Sequence, residues 1–287
     1  MATANTEQII SIKDERLDID LIDQYRLSFF ISARACQITV FDVKKKKLLL
    51  FEHREFDSSL SVTANLEMIH KDHILIAAGF WKEIQVFVRN DKFSLIPNPV
   101  FDKSLLYEYV RLNAETDPEK HAYHFKMLDD FNLSIAFGYS ANIKKWFQNK
   151  YPNVSTFFSH QAVAYLKGIN NQLKEKASAS LYLNLNHHEA LIAGFNLQKV
   201  AIYNQFGFKD AKHLVKIVLL TIQQFSQEGQ STPILLTGVK EKVDLYLPVF
   251  KKYFKHIELG KRPDNVVMHP IFNELEPYEY FEVFSNL

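Results

Sequence analysis

The sequence predicts an α/β fold built from two similar halves, and three observations carry that prediction. Apolar runs of strand length alternate with stretches of helical period from about residue 27 to residue 257. A unit of three adjacent strands followed by a helix occurs twice, at about 27–71 and again at about 180–226. No Gly/Ser-rich or Pro-rich linker divides the 287 residues, so composition alone marks no boundary. The halves are expected at 1–175 and 176–287, meeting near 172–180, with a small subdomain inserted in the first at about 80–135.

Taken in order, the first 24 residues read as a lead-in with a short helix around 17–24. Strands follow at 27–31, 37–43 and 48–54, the second alternating Ile38 and Val40 against Thr39, Phe41 and Val43. Lys44, Lys45, Lys46 and Lys47 lie between the last two. Four lysines suit an anion or nucleic-acid patch, but between two strands they fit better as a solvated turn that protects an edge. A helix at 62–71 ends the unit.

The centre predicts strands at 74–78, 84–88, 93–96, 122–127 and 134–137, with helices at 104–113 and 141–150. Asp91-Lys92 fits a tight hairpin turn between Val88 and Phe93. Ser140 suits an N-cap for a helix whose Ile143, Trp146 and Phe147 share one face. A strand at 154–158 leads into a helix at 161–170. The second unit has strands at 180–185, 189–195 and 199–204, then a long apolar helix at 211–226 that Asp210 can cap. A buried strand at 234–236 ends at Thr237-Gly238. Val243, Leu247, Phe250, Phe254 and Ile257, spaced 4, 3, 4 and 3, predict a helical stretch that Pro248 should kink or split in two. The aromatic end, 277–284, reads either as a strand closing the core or as an exposed docking segment anchored by Tyr278, Tyr280 and Phe284. Burial of so many aromatic rings favours the core.

Composition excludes several classes. Hydrophobic residues at 47% and charged residues at 23% are globular values. A net charge of +1 leaves no basic field for nucleic acid or acidic lipid. One cysteine, Cys36, rules out an intrachain disulfide and suits a reducing compartment. The first 26 residues mix charges without an apolar run, and no apolar run reaches about 18 residues, so neither a signal peptide nor a membrane span is expected. A cytoplasmic location follows. Glycine is scarce at 8 residues, which matters because phosphate-cradling loops use it to bare their amides.

Overlaid without gaps at an offset of 152, the two units bring Ser32 onto Asn184, Val40 onto Ile192, Lys47 onto Lys199 and Phe56 onto Phe208. The shared order is strand, sharp turn, strand, turn, strand, helix. That order resembles the actin-like ATPase superfamily, in which two ribonuclease-H-like halves face each other across a nucleotide cleft. The resemblance implies a mixed sheet with a three-strand meander flanked by helices in each half. It also implies Asp-x-Gly after each half's first strand, the Asp serving magnesium and water and the Gly letting backbone wrap phosphate. Here the first turn reads Ile31-Ser32-Ala33-Arg34, with Ser32 at the Asp position and Arg34 at the Gly position. The second reads Leu183-Asn184-Leu185-Asn186, with Asn184 and Asn186 at those positions. Both carboxylates are missing, and Gly238 stands alone where the superfamily often has a Gly-Gly turn against the adenosine.

The resemblance narrows further. The run from Leu197 through Tyr203-Asn204-Gln205-Phe206-Gly207-Phe208, together with Phe93-Ser94-Leu95-Ile96-Pro97 and Ile234-Leu235-Leu236-Thr237-Gly238, is similar to an uncharacterised family common in Bacteroidota, domain-of-unknown-function family 3822. The resemblance implies the actin-like fold with no assigned activity.

Other candidates weigh less. His187-His188-Glu189 looks metal-like, yet adjacent strand residues face opposite ways and no further ligand has a recognisable spacing. Asp129-Asp130 before Phe131-Asn132 fits a solvated hairpin turn better than a catalytic pair. Cys36 lacks a partnered His and reads as a buried small residue. The leading expectation is a degenerate, non-catalytic protein serving as an interaction or scaffold module for an unidentified protein partner, with no cofactor, no metal and no catalytic residue. A nucleotide-binding protein or weak ATPase, holding ATP and magnesium through Ser32, Asn184 and Asn186, is the alternative. A sensor that has refilled the cleft with another small ligand is the third reading.

Overall fold

A computed structural model describes residues 9–173, 180–186, 189–226 and 229–287. The expected boundary near 172–180 therefore lies largely outside the described residues, as do His187 and His188.

Two sheets repeat one plan. In the first, β1 (Ile9–Lys13), β2 (Tyr25–Ile31), β3 (Ala35–Asp42), β4 (Lys47–Glu55), β5 (Glu83–Val88) and β9 (Thr156–His160) lie in the order β1-β4-β3-β2-β5-β9. The meander β2-β3-β4 is antiparallel, while β5 and β9 run parallel to β2. In the second, β10 (Ser180–Leu185), β11 (Glu189–Asn196), β12 (Lys199–Gly207), β13 (Ile234–Gly238) and β14 (Ile257–Leu259) lie in the order β12-β11-β10-β13-β14, again a meander followed by two parallel strands. Strands β2 and β10 thus sit in different sheets, as the duplication requires. A third, three-stranded sheet of β6 (Phe93–Pro97), β7 (His121–Leu128) and β8 (Leu133–Ser140) stands apart in the order β6-β8-β7 and carries α3 (Leu106–Arg111).

The pairing register corrects the offset. Ile31 pairs with Cys36 across the first turn and with Val88 beside it; Leu185 pairs with Ala190 and Gly238 in the same way. The β-bulges confirm the match, falling between Val40 and Phe41 in one meander and between Gly194 and Phe195 in the other. From Val40 to Gly194 the shift is 154 residues, two more than the ungapped overlay. A two-residue slip keeps every side chain on its own face, so alternation in sequence could not separate the two registers. Ser32 therefore matches Asn186, and Asn184 matches Phe30.

Helices cover the sheets. They are α1 (Val62–Asp72), α2 (Ile74–Ala77), α4 (Ala141–Lys150), α5 (Gln161–Leu173), α6 (Ala211–Phe225), α7 (Lys240–Tyr253) and α8 (Phe281–Phe284). The expected caps form: the Ser140 hydroxyl accepts from the Asn142 amide at 3.3 Å, and Asp210 accepts from His213 at 2.8 Å. On α5, Ala162 through Leu166 and Ile169 are all buried, since this helix is packed on more than one side.

Several expectations fail for identifiable reasons. The run at 74–78 is not a strand but the short helix α2, started by His73 Nδ1 accepting from the Ile76 amide at 3.2 Å. The lead-in carries a strand, β1, that covers the outer edge of β4. Asp91-Lys92 makes no hairpin, because β5 and β6 belong to different sheets. Pro248 does not split α7, which runs unbroken; Ile257 lies beyond it in β14. The C-terminal aromatics do enter the core, but as the helix α8 rather than a strand.

Candidate functional site

The C-terminal ends of β2 and β10, with their parallel neighbours β5 and β13, border a cavity of about 400 Å³. In an open α/β sheet this end is where ligand groups collect. The five positions singled out in sequence, Ser32, Arg34, Asn184, Asn186 and Gly238, all line it. So do Gln37, His53, Arg89, Glu279 and Glu282, which sequence reasoning missed, together with Glu189 and Tyr280, which it had placed in a metal-like run and in the aromatic end.

Each turn is closed from within. The Ser32 amide donates to the Ala35 carbonyl at 2.9 Å, and its hydroxyl accepts from the amides of Arg34 and Ala35 at 3.1 and 2.9 Å. The same hydroxyl donates to the Ala35 carbonyl at 3.0 Å. Its hydrogen-bonding capacity is spent on the turn. Arg34 is exposed and makes no ion pair among the described residues. In the second turn the Asn186 amide donates to the Glu189 carbonyl at 2.9 Å.

Gly238 is required by backbone approach. Its φ is +130°, and a Cβ there would lie 2.2 Å from the Leu185 carbonyl oxygen. Its amide donates to the Tyr278 carbonyl at 3.0 Å, so it is not bare. The next amide, Val239, donates to Leu185 at 2.8 Å. At the N-terminus of α7 the Lys240 amide donates to Glu279 Oε1 at 3.1 Å. A carboxylate of the chain itself thus occupies a helix end that otherwise favours an anion.

A polar chain crosses the cavity floor. Gln37 Nε2 contacts His53 Nδ1 at 2.8 Å, and Arg89 Nη1 donates to Gln37 Oε1. Arg89 Nη2 donates to Glu282 Oε1 at 2.7 Å, while its guanidinium lies 5.4 Å from the Phe30 ring centre. Glu282 Oε2 accepts from Asn184 Nδ2 at 3.1 Å. The chain joins both sheets through α8. Because Nδ2 faces a carboxylate, the amide orientation is set, and Asn184 Oδ1 is left buried without a donor. Arg89 Nε is likewise unpartnered, as is the buried hydroxyl of Tyr203, while that of Tyr165 lies beside Thr237. Burial pushes both phenols up from their ordinary value, so they stay neutral donors.

The C-terminal segment fills this space rather than offering it to a partner. Tyr278 is 5% exposed and Phe284 1%, and Tyr280 is half-buried on the cavity wall. They cannot be exposed anchors, which corrects that assignment. Phe284 packs 5.3 Å from Phe51 and Tyr280 4.6 Å from the same ring. Among the described residues no group of three His, Cys, Asp or Glu could hold a metal. Glu189 accepts instead from Gln205 at 2.6 Å. Cys36 is fully buried, its thiol pushed up by desolvation. Asp129 and Asp130 open the turn between β7 and β8, which ends at Asn132 with φ +53°. Lys44, Lys45 and Lys46 are exposed at their turn. No described helix is long and apolar enough to cross a membrane.

Two facing sheets of this topology, with a cleft at matching strand ends, define a protein of the actin-like ATPase fold. The structure is similar to a Bacteroides thetaiotaomicron protein with actin-like ATPase fold and unknown function, at TM-score 0.80 and 18% identity over 94% of this chain and 98% of that one. A chain of the PilM-PilN type IV pilus biogenesis complex matches at TM-score 0.60 and 12% identity, covering 91% and 96%. The model of the DUF3822 family, proteins of unknown function, matches residues 14–257, and the chain belongs to that family. No curated protein matches it.

Proposed function

We propose that this is a non-catalytic, cytoplasmic member of the actin-like ATPase fold that works as an interaction or scaffold module. The observation that carries the reading is internal saturation of the phosphate-binding positions. Ser32, the Gly238 amide and the first amide of α7 are all engaged by the chain itself. The floor carries the Glu282 carboxylate beside Asn184, where a triphosphate would need positive charge or a metal. A protein that keeps this fold without its chemistry keeps it for contacts. The likeness to a chain of the PilM-PilN type IV pilus biogenesis complex supports the idea that such a fold can serve within an assembly. The second reading, a nucleotide-binding protein, draws on Arg34, which is free of described ion pairs at the cavity.

The test is magnesium-dependent phosphate release from ATP by the full-length protein. The reading predicts none above a buffer control. Turnover that disappears in Ser32→Ala or Asn184→Ala would contradict it.

A further inference from the structure

The net charge of +1 conceals a local imbalance on the outer side of the second half. Helices α6 and α7 lie side by side on one face of the second sheet. They bury Leu214, Val218 and Ile222 of one and Val243 and Phe250 of the other against β10, β11 and β13. Each follows a strand parallel to β10, so the two helices run parallel to each other. Opposite the buried stripes, Lys212, Lys216 and Leu220 follow one another at intervals of four on α6, and Leu245 and Lys252 stand seven apart on α7. Leu220 is 51% exposed and Leu245 58%.

Helix α6 contains no acidic residue, and Asp210 before it is spent on the His213 amide. On α7, Asp244 is held by Lys240 at 3.9 Å and by the Tyr278 hydroxyl, which leaves Glu241. Glu258 on β14 faces Tyr182 on the other side of the sheet. Against that one free carboxylate stand Lys212, Lys216, Lys242, Lys251, Lys252 and Lys255, none of them in an ion pair among the described residues. Charges closer than the screening length of about 8 Å act together, so this face presents a positive field although the whole chain is balanced.

Lysines flanking exposed leucines on two adjacent helices complement a helix with apolar residues at helical spacing and carboxylates at its margins. Single-stranded nucleic acid is a poorer match, because the exposed apolar groups are leucines and not stacking rings. An anionic bilayer is also poorer, because two leucines do not make the continuous apolar face that enters one. We infer that α6 and α7 form a docking surface for an acidic amphipathic helix of a partner protein, its carboxylates on the lysines and its apolar residues on Leu220 and Leu245. The inference rests on the interaction-module reading and names the partner's chemistry.

Fluorescence anisotropy of the full chain tests it with a labelled helical peptide of leucine and glutamate in amphipathic order. The comparison probes are the same peptide with lysine in place of glutamate, phosphatidylglycerol vesicles and oligouridylate. The variants are Lys216→Glu, Leu220→Glu and, as a remote exposed control with the same charge change, Lys44→Glu. The expected result is saturable binding of the acidic peptide that weakens with added salt, falls about tenfold in Lys216→Glu and in Leu220→Glu, and is unchanged in Lys44→Glu. No saturable binding of the acidic peptide, equal binding of the lysine peptide, equal weakening by all three variants, or tighter binding of the vesicles or oligouridylate overturns the inference. If any of these occurs while ATP yields no phosphate, this surface is lost and the interaction-module reading stands. Magnesium-dependent phosphate release removes that reading and this inference with it.

Discussion

Replacing Phe284 by Ala removes a ring from the point where the C-terminal segment meets the first sheet. Phe284 is 1% exposed and shares a core cluster with Ile12, Phe30, Leu48, Phe51 and Phe87. Its neighbours are strand residues and rings already packed against one another, so the space cannot close without moving β2 or β4. A Phe-to-Ala change in such a core costs about 3–5 kcal/mol. At about 2 °C per kcal/mol for a chain of this size, the melting temperature should fall by roughly 6–10 °C. Phe80, 80% exposed, is the matched control, and Phe80→Ala should stay within about 0.5 kcal/mol. Thermal and urea unfolding by circular dichroism measure both. Wild-type stability in Phe284→Ala would refute the claim that this segment is core, and would return it to consideration as a docking strip.

Three further outcomes follow from particular contacts. Gly238→Ala forces a side chain into a positive-φ position 2.2 Å from the Leu185 carbonyl and should cost at least about 3 kcal/mol in a denaturant melt, unlike Ala at the open, unstrained Gly79. Glu282→Gln leaves the Arg89 guanidinium buried without its carboxylate, and should destabilise by about 3–5 kcal/mol, read by the same melt. Glu52 is pulled two ways: burial raises its pKa, but hydrogen bonds from His73 and Arg54 and their charges bring it to about 2, below the ordinary 4.5. It therefore contributes up to about 3 kcal/mol above pH 4.5, lost as pH falls toward 2, and Glu52→Gln should flatten stability over that window.

The repeated strand order was legible because period-2 alternation survives in both meanders, and the caps at Ser140 and Asp210 were legible because their chemistry is local. The two-residue error in matching the halves was not, since such a slip leaves the hydrophobic pattern unchanged. Run 74–78 misled because a β-branched apolar stretch fits a strand, while Tyr151 reaches the Ile76 carbonyl at 2.6 Å and holds it as a helical turn. At the site, the two turns could be found from their place in the repeat. Arg89 and Glu282 could not, because they are joined only by tertiary contact across 193 positions. One signal was present: Arg89 follows directly on the parallel strand β5, at the sheet end where ligand groups gather. A second was Glu282 set within an aromatic run, a charge that burial of its neighbours obliges to find a partner.

The central claim is that the cleft has given up nucleotide. A thermal-shift titration with ATP, ADP and GTP, each with and without magnesium, tests it most directly. A nucleotide at 100 times its dissociation constant adds about 2.7 kcal/mol and a readable rise in melting temperature. The internal saturation of Ser32, Gly238 and the start of α7 predicts flat curves under all six conditions. A saturable, magnesium-dependent rise with any one of the three would contradict it.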